Sequence, residues 1–345
     1  MTGEPICFAK KKCPNLQIFP GDFTVYREYS NKLYNLLLEY TDIIERFSID
    51  ECFLDMTGFL MGRTLEDVAK EINNRVRNEL KFTVNIGIAH NKLLAKMASD
   101  FEKPDKIHTL YENEIEKKMW TLPASELFML GRKTVPKLLN MQIKTIGDVA
   151  KTDKEILVRK FGKHGQMMWE YANGIDNSPV NNVKELPKSI GNSVTLARDL
   201  KSIDEINPIL VALVEKVTYR LRKYQMLADV INVQLRTNNF IDYSHQKKLA
   251  YSTSSTKDIL KLAKEILANM YNGEPIRLIG VRVDNLTKED EIQLSFFSND
   301  NSKQNNLDKT LDNITNKYGI SSITRASKLN VDINYKENQD NKKRI

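Results

Sequence analysis

The stretch Arg46-Phe47-Ser48-Ile49-Asp50-Glu51-Cys52-Phe53-Leu54-Asp55, RFSIDECFLD, sets two adjacent carboxylates inside a run that otherwise reads as buried strand. Phe47 and Ile49 alternate with polar neighbours at period two, the pattern of a half-buried strand. After Glu51 the pattern shifts to the apolar run Cys52-Phe53-Leu54, as it does where a strand turns or bulges. Adjacent carboxylates repel, and burying them costs several kcal/mol unless positive charge lies between them. Two readings stand: a solvated turn between strands, or a turn that aims both carboxylates at a divalent cation, with Mg²⁺ the natural partner of hard oxygen ligands.

The rest of the chain frames that choice. Its 345 residues suffice for two or three domains, each with its own core. A formal net charge of +7 leans toward a polyanionic partner, while 41% hydrophobic and 28% charged residues are ordinary for a globular protein. The N-terminal MTGEPICFAKKKCP has no apolar leader core, and no later run reaches membrane-spanning length, so a cytoplasmic protein without a membrane partner is expected. Cys7, Cys13 and Cys52 form neither a CxxC nor an even set and read as reduced thiols.

Apolar spacing predicts a helix over residues 24–40, a second over 64–80 opened by a Thr64 cap, a strand over 82–90 and a helix over 91–103 stopped by Pro104. This alternation predicts a mixed sheet covered by helices. From about residue 115 the texture changes to short helices and turns. One tight turn is expected at Gly131 and a second at Ile146-Gly147-Asp148. Residues 188–297 read as strand 189–196, helix 203–225, strands 228–237 and 246–254, helix 257–271 and strand 276–286. That is the β-α-β-β-α-β order of a ferredoxin-like domain. Beyond Ser298 a polar tail offers one short helix, at LDKTLDNITNKY, with a disordered reading for its last fifteen or so residues.

Several motifs share one order. FSIDECFLDMT, VNIGIAHNKLLAKMASDFEKPD, LPASELFMLGRKTVPKLLNMQIKTIGDVA and KSIGNSVTLARDL together resemble the Y-family (DinB/UmuC-type) translesion DNA polymerases, and look closest to the UmuC-like branch of Gram-positive bacteria. The resemblance extends to about Leu329. It implies a multidomain α+β fold: a remnant of the fingers at 1–20, a palm at 21–118, a thumb with a helix-hairpin-helix at 119–178, a linker at 179–187, a ferredoxin-like little finger at 188–297 and a tail at 298–345. The implied function is templated addition of deoxynucleoside triphosphates to primed, damaged DNA by two-metal Mg²⁺ chemistry, in DNA repair, by a protein acting as a monomer.

The same resemblance assigns roles. Asp50 and Glu51 become catalytic metal ligands, and Lys103 in EKPD matches a lysine that reaches the incoming triphosphate. The family usually follows that motif with Gly where this chain has Lys106, which puts the loop geometry in question. Gly131, Arg132 and Lys133 fall at a hairpin that grips DNA phosphates without reading sequence, with Met129 in place of a frequent first glycine. Arg236, Arg277 and Arg282 are the DNA candidates on the little-finger sheet, whereas Arg220, Arg222 and Lys223 read as a solvated helix end. Gln293-Leu294-Ser295-Phe296-Phe297 resembles the short motif that docks in the bacterial sliding clamp, its apolar side chains serving as anchors.

Family members begin with a strand carrying D-x-D/N-x-F-[FY]-A-S-V-E, whose first Asp is a third metal ligand. MTGEPICFAKKKCPNLQIF aligns inside the fingers, after that strand. With Asp50 and Glu51 alone the expectation is weak or no primer extension by these 345 residues. The alternative reading is a non-catalytic protein that binds damaged DNA, primer ends and the clamp.

Overall fold

A computed structural model of the chain describes residues 3–183, 186–289, 302–319, 322–323 and 325–326. The described residues up to 183 form one unit and those from 186 onward another.

The first unit opens with α1 (Ile6–Lys12) and α2 (Phe23–Leu37), the latter started by Asp22, whose carboxylate accepts from the Thr24 amide at 2.8 Å. Strands β1 (Ile44–Arg46) and β2 (Cys52–Leu54) pair antiparallel in the register Ile44↔Leu54 and Arg46↔Cys52. The expected Thr64 cap is present and opens α3 (Leu65–Arg75), which continues as a π-helical turn over Val76–Leu80. Strand β3 (Ile86–Ile88), helix α4 (Lys92–Asp100) and strand β4 (Ile107–Thr109) form a parallel β-α-β unit. The one mixed sheet expected here is instead two separate two-stranded ladders among the described residues. Side chains around Leu36, Tyr40, Ile44, Val68, Ile72 and Val76, with Leu54 and Ile86 against them, make the core that holds the ladders together.

Helix α4 belongs to two layers. Its backbone lies against β3, while Leu93, Leu94, Met97 and Ala98 are buried among side chains from residues 110–172. That second core is built by α5 (Val135–Leu139), α6 (Ile146–Lys151), α7 (Lys154–Phe161) and α8 (Lys163–Ala172). The turn expected at Ile146-Gly147-Asp148 is the start of α6. Thr145 and Asp148 form a capping box there, and such a box starts a helix rather than a turn.

The second unit follows the expected chain order: β5 (Ser189–Leu200), α9 (Ile203–Lys223), β6 (Met226–Thr237), β7 (Asp242–Thr253), α10 (Thr256–Met270) and β8 (Ile276–Lys288). The sheet order is β5-β8-β6-β7 with antiparallel neighbours, so each β-α-β crossover spans one intervening strand. Helices α9 and α10 cover one face, packing Leu210, Val217, Leu221 and Ile259 against Ile231, Val233, Ile279 and Val281. Side chains of this size contribute roughly 1.5–3 kcal/mol each when fully buried.

The short helix expected in the tail is present as α11 (Ser302–Tyr318). Its anchor corrects the solvated reading of Arg222. The Arg222 guanidinium makes paired hydrogen bonds to Asp312 at 2.6 and 2.8 Å, and the nearly buried Asp308 accepts from the Thr256 amide at the start of α10.

Candidate active site and DNA-binding surfaces

The Phe47 and Ser48 amides both donate to the Glu51 carbonyl, at 3.0 and 3.2 Å, closing the β1–β2 connection into a tight turn. Asp50 is exposed at its apex, and its carboxylate accepts from the Ser48 hydroxyl at 2.6 Å. Glu51 is half-buried and turns toward α4, where Lys96 Nζ lies 2.7 Å from Oε1. Positive charge therefore comes from a helix more than forty residues downstream. One helical turn earlier, Lys92 Nζ donates to Glu45 Oε2 on β1 at 2.8 Å. The two lysines fasten α4 to the acidic hairpin.

The ion pairs continue outward. Lys96 also contacts Asp100 at 2.9 Å, and the other Asp100 oxygen holds Lys103 at 2.8 Å. The residue expected to meet the triphosphate is thus three ion pairs from Glu51. Burial works against the charged forms of Lys96 and Asp100, but their mutual contact and the Glu51 and Lys103 partners outweigh it. The Lys96 ammonium is raised above its ordinary range and the Asp100 carboxyl lowered below its own. Lys106, in the place of the family glycine, causes no strain: the left-handed residue of this loop is Asp105, with φ 64°, and the Lys106 amide donates to Asn85 at 3.0 Å.

Among the described residues, no group of three or more His, Cys, Asp or Glu side chains could hold a metal ion. Asp50 and Glu51 fit a hard divalent cation in donor type: both offer carboxylate oxygens, one on an exposed residue and the other paired with an ammonium.

Aromatic packing joins this turn to the helical layer. Phe47 meets Phe53 edge-on at 5.6 Å and Phe128 at 5.8 Å, and Phe128 stacks on Tyr171 at 6.4 Å. Next to Phe128, Met129 takes φ 65°, the conformation that glycine adopts without strain. The following Gly131 has no such need. Its φ is outside the left-handed region, and a Cβ there would meet nothing within 4 Å. Arg132 and Lys133 beside it are exposed, as is Gly131. Because Met129 is 58% exposed, little packing depends on its side chain. Met129→Gly is expected to stabilise the first unit by about 0.5–1 kcal/mol in urea unfolding, through relief of backbone strain.

In the second unit, Arg236 and Arg282 stand on the sheet face opposite the helices. They alternate with buried Leu235 on β6 and with Val281 and Val283 on β8. Each candidate arginine has an acidic partner. Arg236 grips Asp242 at 2.8 and 2.9 Å, Arg277 grips Asp199 at 2.9 Å through two nitrogens, and Arg282 reaches Asp284 at 2.9 Å. The arginine partners hold the Asp242 and Asp199 carboxyls below their ordinary range. Residues 293–297, with the clamp-like motif, lie outside the described residues.

Sequence reasoning missed Lys96, the residue that makes the acidic pair tenable. The available signal was Lys92 and Lys96 four apart on a helix, against Glu45 and Glu51 on a nearby hairpin.

An acidic hairpin, a lysine-bearing helix against it, a compact helical layer and a separate β-α-β-β-α-β unit together match a polymerase family. The impB/mucB/samB family model matches residues 1–100, its C-terminal domain model residues 187–296, and a thumb-domain model described for DNA polymerase-iota residues 126–176. DNA polymerase IV of Clostridium acetobutylicum is 48% identical over 327 residues, covering 94% of this chain and 83% of that protein. DNA polymerase IV 1 of Bacillus subtilis is 34% identical over 333 residues, covering 95% and 80%. Among solved structures, a Y-family DNA polymerase chimera, Dbh-Dpo4(243-245)-Dbh, superposes with a TM-score of 0.72 at 26% identity, covering 83% of each chain. An insertion ternary complex of Dbh DNA polymerase gives 0.54 at 25% identity, again covering 83% of each. The chain belongs to the Y family of DNA-directed DNA polymerases, on its DinB-type, DNA polymerase IV side. These relatives are nucleotidyltransferases, and none of them favours the non-catalytic alternative.

Proposed function

We propose that this chain extends primers on damaged DNA, with the Asp50–Glu51 turn as its catalytic centre. The observation that supports the reading is the row of paired charges Glu51, Lys96, Asp100 and Lys103, which runs from that turn to the lysine proposed to meet the triphosphate. Asp50 and Glu51 would hold Mg²⁺, which when bound supplies Lewis-acid activation of the primer hydroxyl and charge neutralisation at the triphosphate. Lys103, more than half exposed, would bind phosphate oxygens and orient the nucleotide. Asp50→Ala in a metal-dependent extension assay tests the assignment.

DNA would be held by Gly131, Arg132 and Lys133 in the thumb and by the sheet of the second unit. The free space around Gly131 supports the first contact: nothing inside the molecule demands glycine there, whereas close approach of a phosphate would. On the sheet, phosphates must compete with aspartates for Arg236, Arg277 and Arg282. Asp242→Asn removes one competitor. It is expected to tighten primer-template binding about three- to fivefold near 0.1 M salt and to steepen the salt dependence by almost one released counterion. Fluorescence anisotropy across a salt series checks this, and unchanged affinity and slope would remove Arg236 from the DNA contact.

The remaining assignments belong to the same proposal. They are the division into palm 21–118, thumb 119–178 and little finger 188–297, action as a monomer in the cytoplasm, and docking on the sliding clamp through residues 293–297. No helix among the described residues is long and apolar enough to cross a membrane. The relatives carry the DNA polymerase IV name, so the motif likeness to the UmuC-like branch gains no support from them.

A further inference from the structure

We infer that Lys96 is a positioning residue linking cation binding at the acidic turn to triphosphate binding at Lys103. The inference rests on the polymerase reading of Asp50, Glu51 and Lys103. The side chains Glu51, Lys96, Asp100 and Lys103 alternate in sign, with contacts of 2.7, 2.9 and 2.8 Å. Lys96 is the enclosed member, its side chain 14% exposed, whereas Lys103 at the outer end is 59% exposed.

Both links in the row are exchangeable. The Lys96 ammonium occupies an approach to Glu51 Oε1 that a cation would also use, so the two compete for that oxygen. A cation on Glu51 shifts Lys96 toward Asp100, its other partner. Asp100, which holds both ammonium groups, is then drawn more strongly to Lys96, and its hold on Lys103 weakens. Lys103, on an exposed stem, is released toward an anionic ligand. Cation occupancy thereby raises triphosphate affinity, and by linkage a triphosphate raises cation affinity by the same factor. Lys96 touches neither reacting atom in this scheme; it acts through Glu51 and Asp100.

The test uses the full chain without DNA, Mn²⁺ as an electron-paramagnetic-resonance probe, and a fluorescent deoxynucleoside triphosphate read with and without Mn²⁺. Lys96→Gln is expected to tighten Mn²⁺ binding about tenfold, since a competing charge is removed. It is also expected to reduce the several-fold gain in triphosphate affinity that Mn²⁺ gives the parent chain to the part that direct cation–phosphate contact supplies. Lys96→Arg should restore both properties. Asp100→Asn leaves the contact with Glu51 in place and cuts the outer link, so it should keep parental Mn²⁺ affinity and reduce the coupling to the same part; it also decides the matter if Lys96→Gln does not fold. Parental Mn²⁺ affinity and coupling in folded Lys96→Gln, or undiminished coupling in Asp100→Asn, overturns the inference while the metal site stands. Mn²⁺ binding that survives Asp50→Asn overturns the metal reading, and the inference with it.

Discussion

Replacing Asp50 with alanine is expected to lower single-turnover primer extension by about a thousandfold or more, equivalent to roughly 4 kcal/mol of transition-state stabilisation. The substitution is unusually clean. Asp50 sits exposed at the apex of the turn, and its described side-chain contact is the Ser48 hydroxyl. Closure of the turn depends on the Glu51 carbonyl accepting from two backbone amides, which alanine leaves untouched. The variant should therefore fold, melt near the parent temperature and bind primer-template DNA as before. Glu51→Gln should lose as much activity but is less clean, because it also strips Lys96 of one of its two carboxylate partners. An Asp50→Ala variant that extends primers at the parental rate would move the chemistry away from this turn.

Gly87→Ala is expected to unfold the first unit, a loss of more than about 4 kcal/mol, which is exceptional for one methyl group. A Cβ at Gly87 would lie 1.8 Å from the Ala95 carbonyl oxygen and 2.7 Å from the Ser99 amide nitrogen. Both are backbone atoms of α4, so no rotamer change relieves the overlap. The helix would have to lift off β3, carrying Lys92 and Lys96 away from Glu45 and Glu51 and pulling Leu93, Leu94, Met97 and Ala98 out of their core. Differential scanning calorimetry should show the first unit's transition lost and that of the second unit, which has its own core, retained. Gly131→Ala is the control: a Cβ there meets nothing, so its melting should match the parent's. A Gly87→Ala variant with two intact transitions would mean that α4 does not need its close seat on β3.

Legibility followed the range of the interactions. The second unit was readable almost element by element because its helices bury an uninterrupted apolar stripe and its strands alternate over about a dozen residues. In the first unit the strands shrink to three residues each, too few for period-two alternation to mark their ends. Gly147 has the look of a turn residue, although Thr145 and Asp148 spell a helix start. At the site, Asp50 and Glu51 were visible as adjacent acids, and their roles came through the family resemblance. Lys96 was not visible, because a lysine on an amphipathic helix looks solvated until its partner 45 residues away is known. Arg222 and Asp312, 90 residues apart, were hidden for the same reason.

The most direct measurement is extension of a labelled primer by the purified 345-residue chain on a template with an abasic site, with Mg²⁺ present and then chelated. A Y-family polymerase centred on Asp50 and Glu51 predicts addition that proceeds past the lesion and stops when Mg²⁺ is removed. Tight binding of the same DNA with no nucleotide added, with either Mg²⁺ or Mn²⁺, would contradict it and make the chain a binder of primer ends.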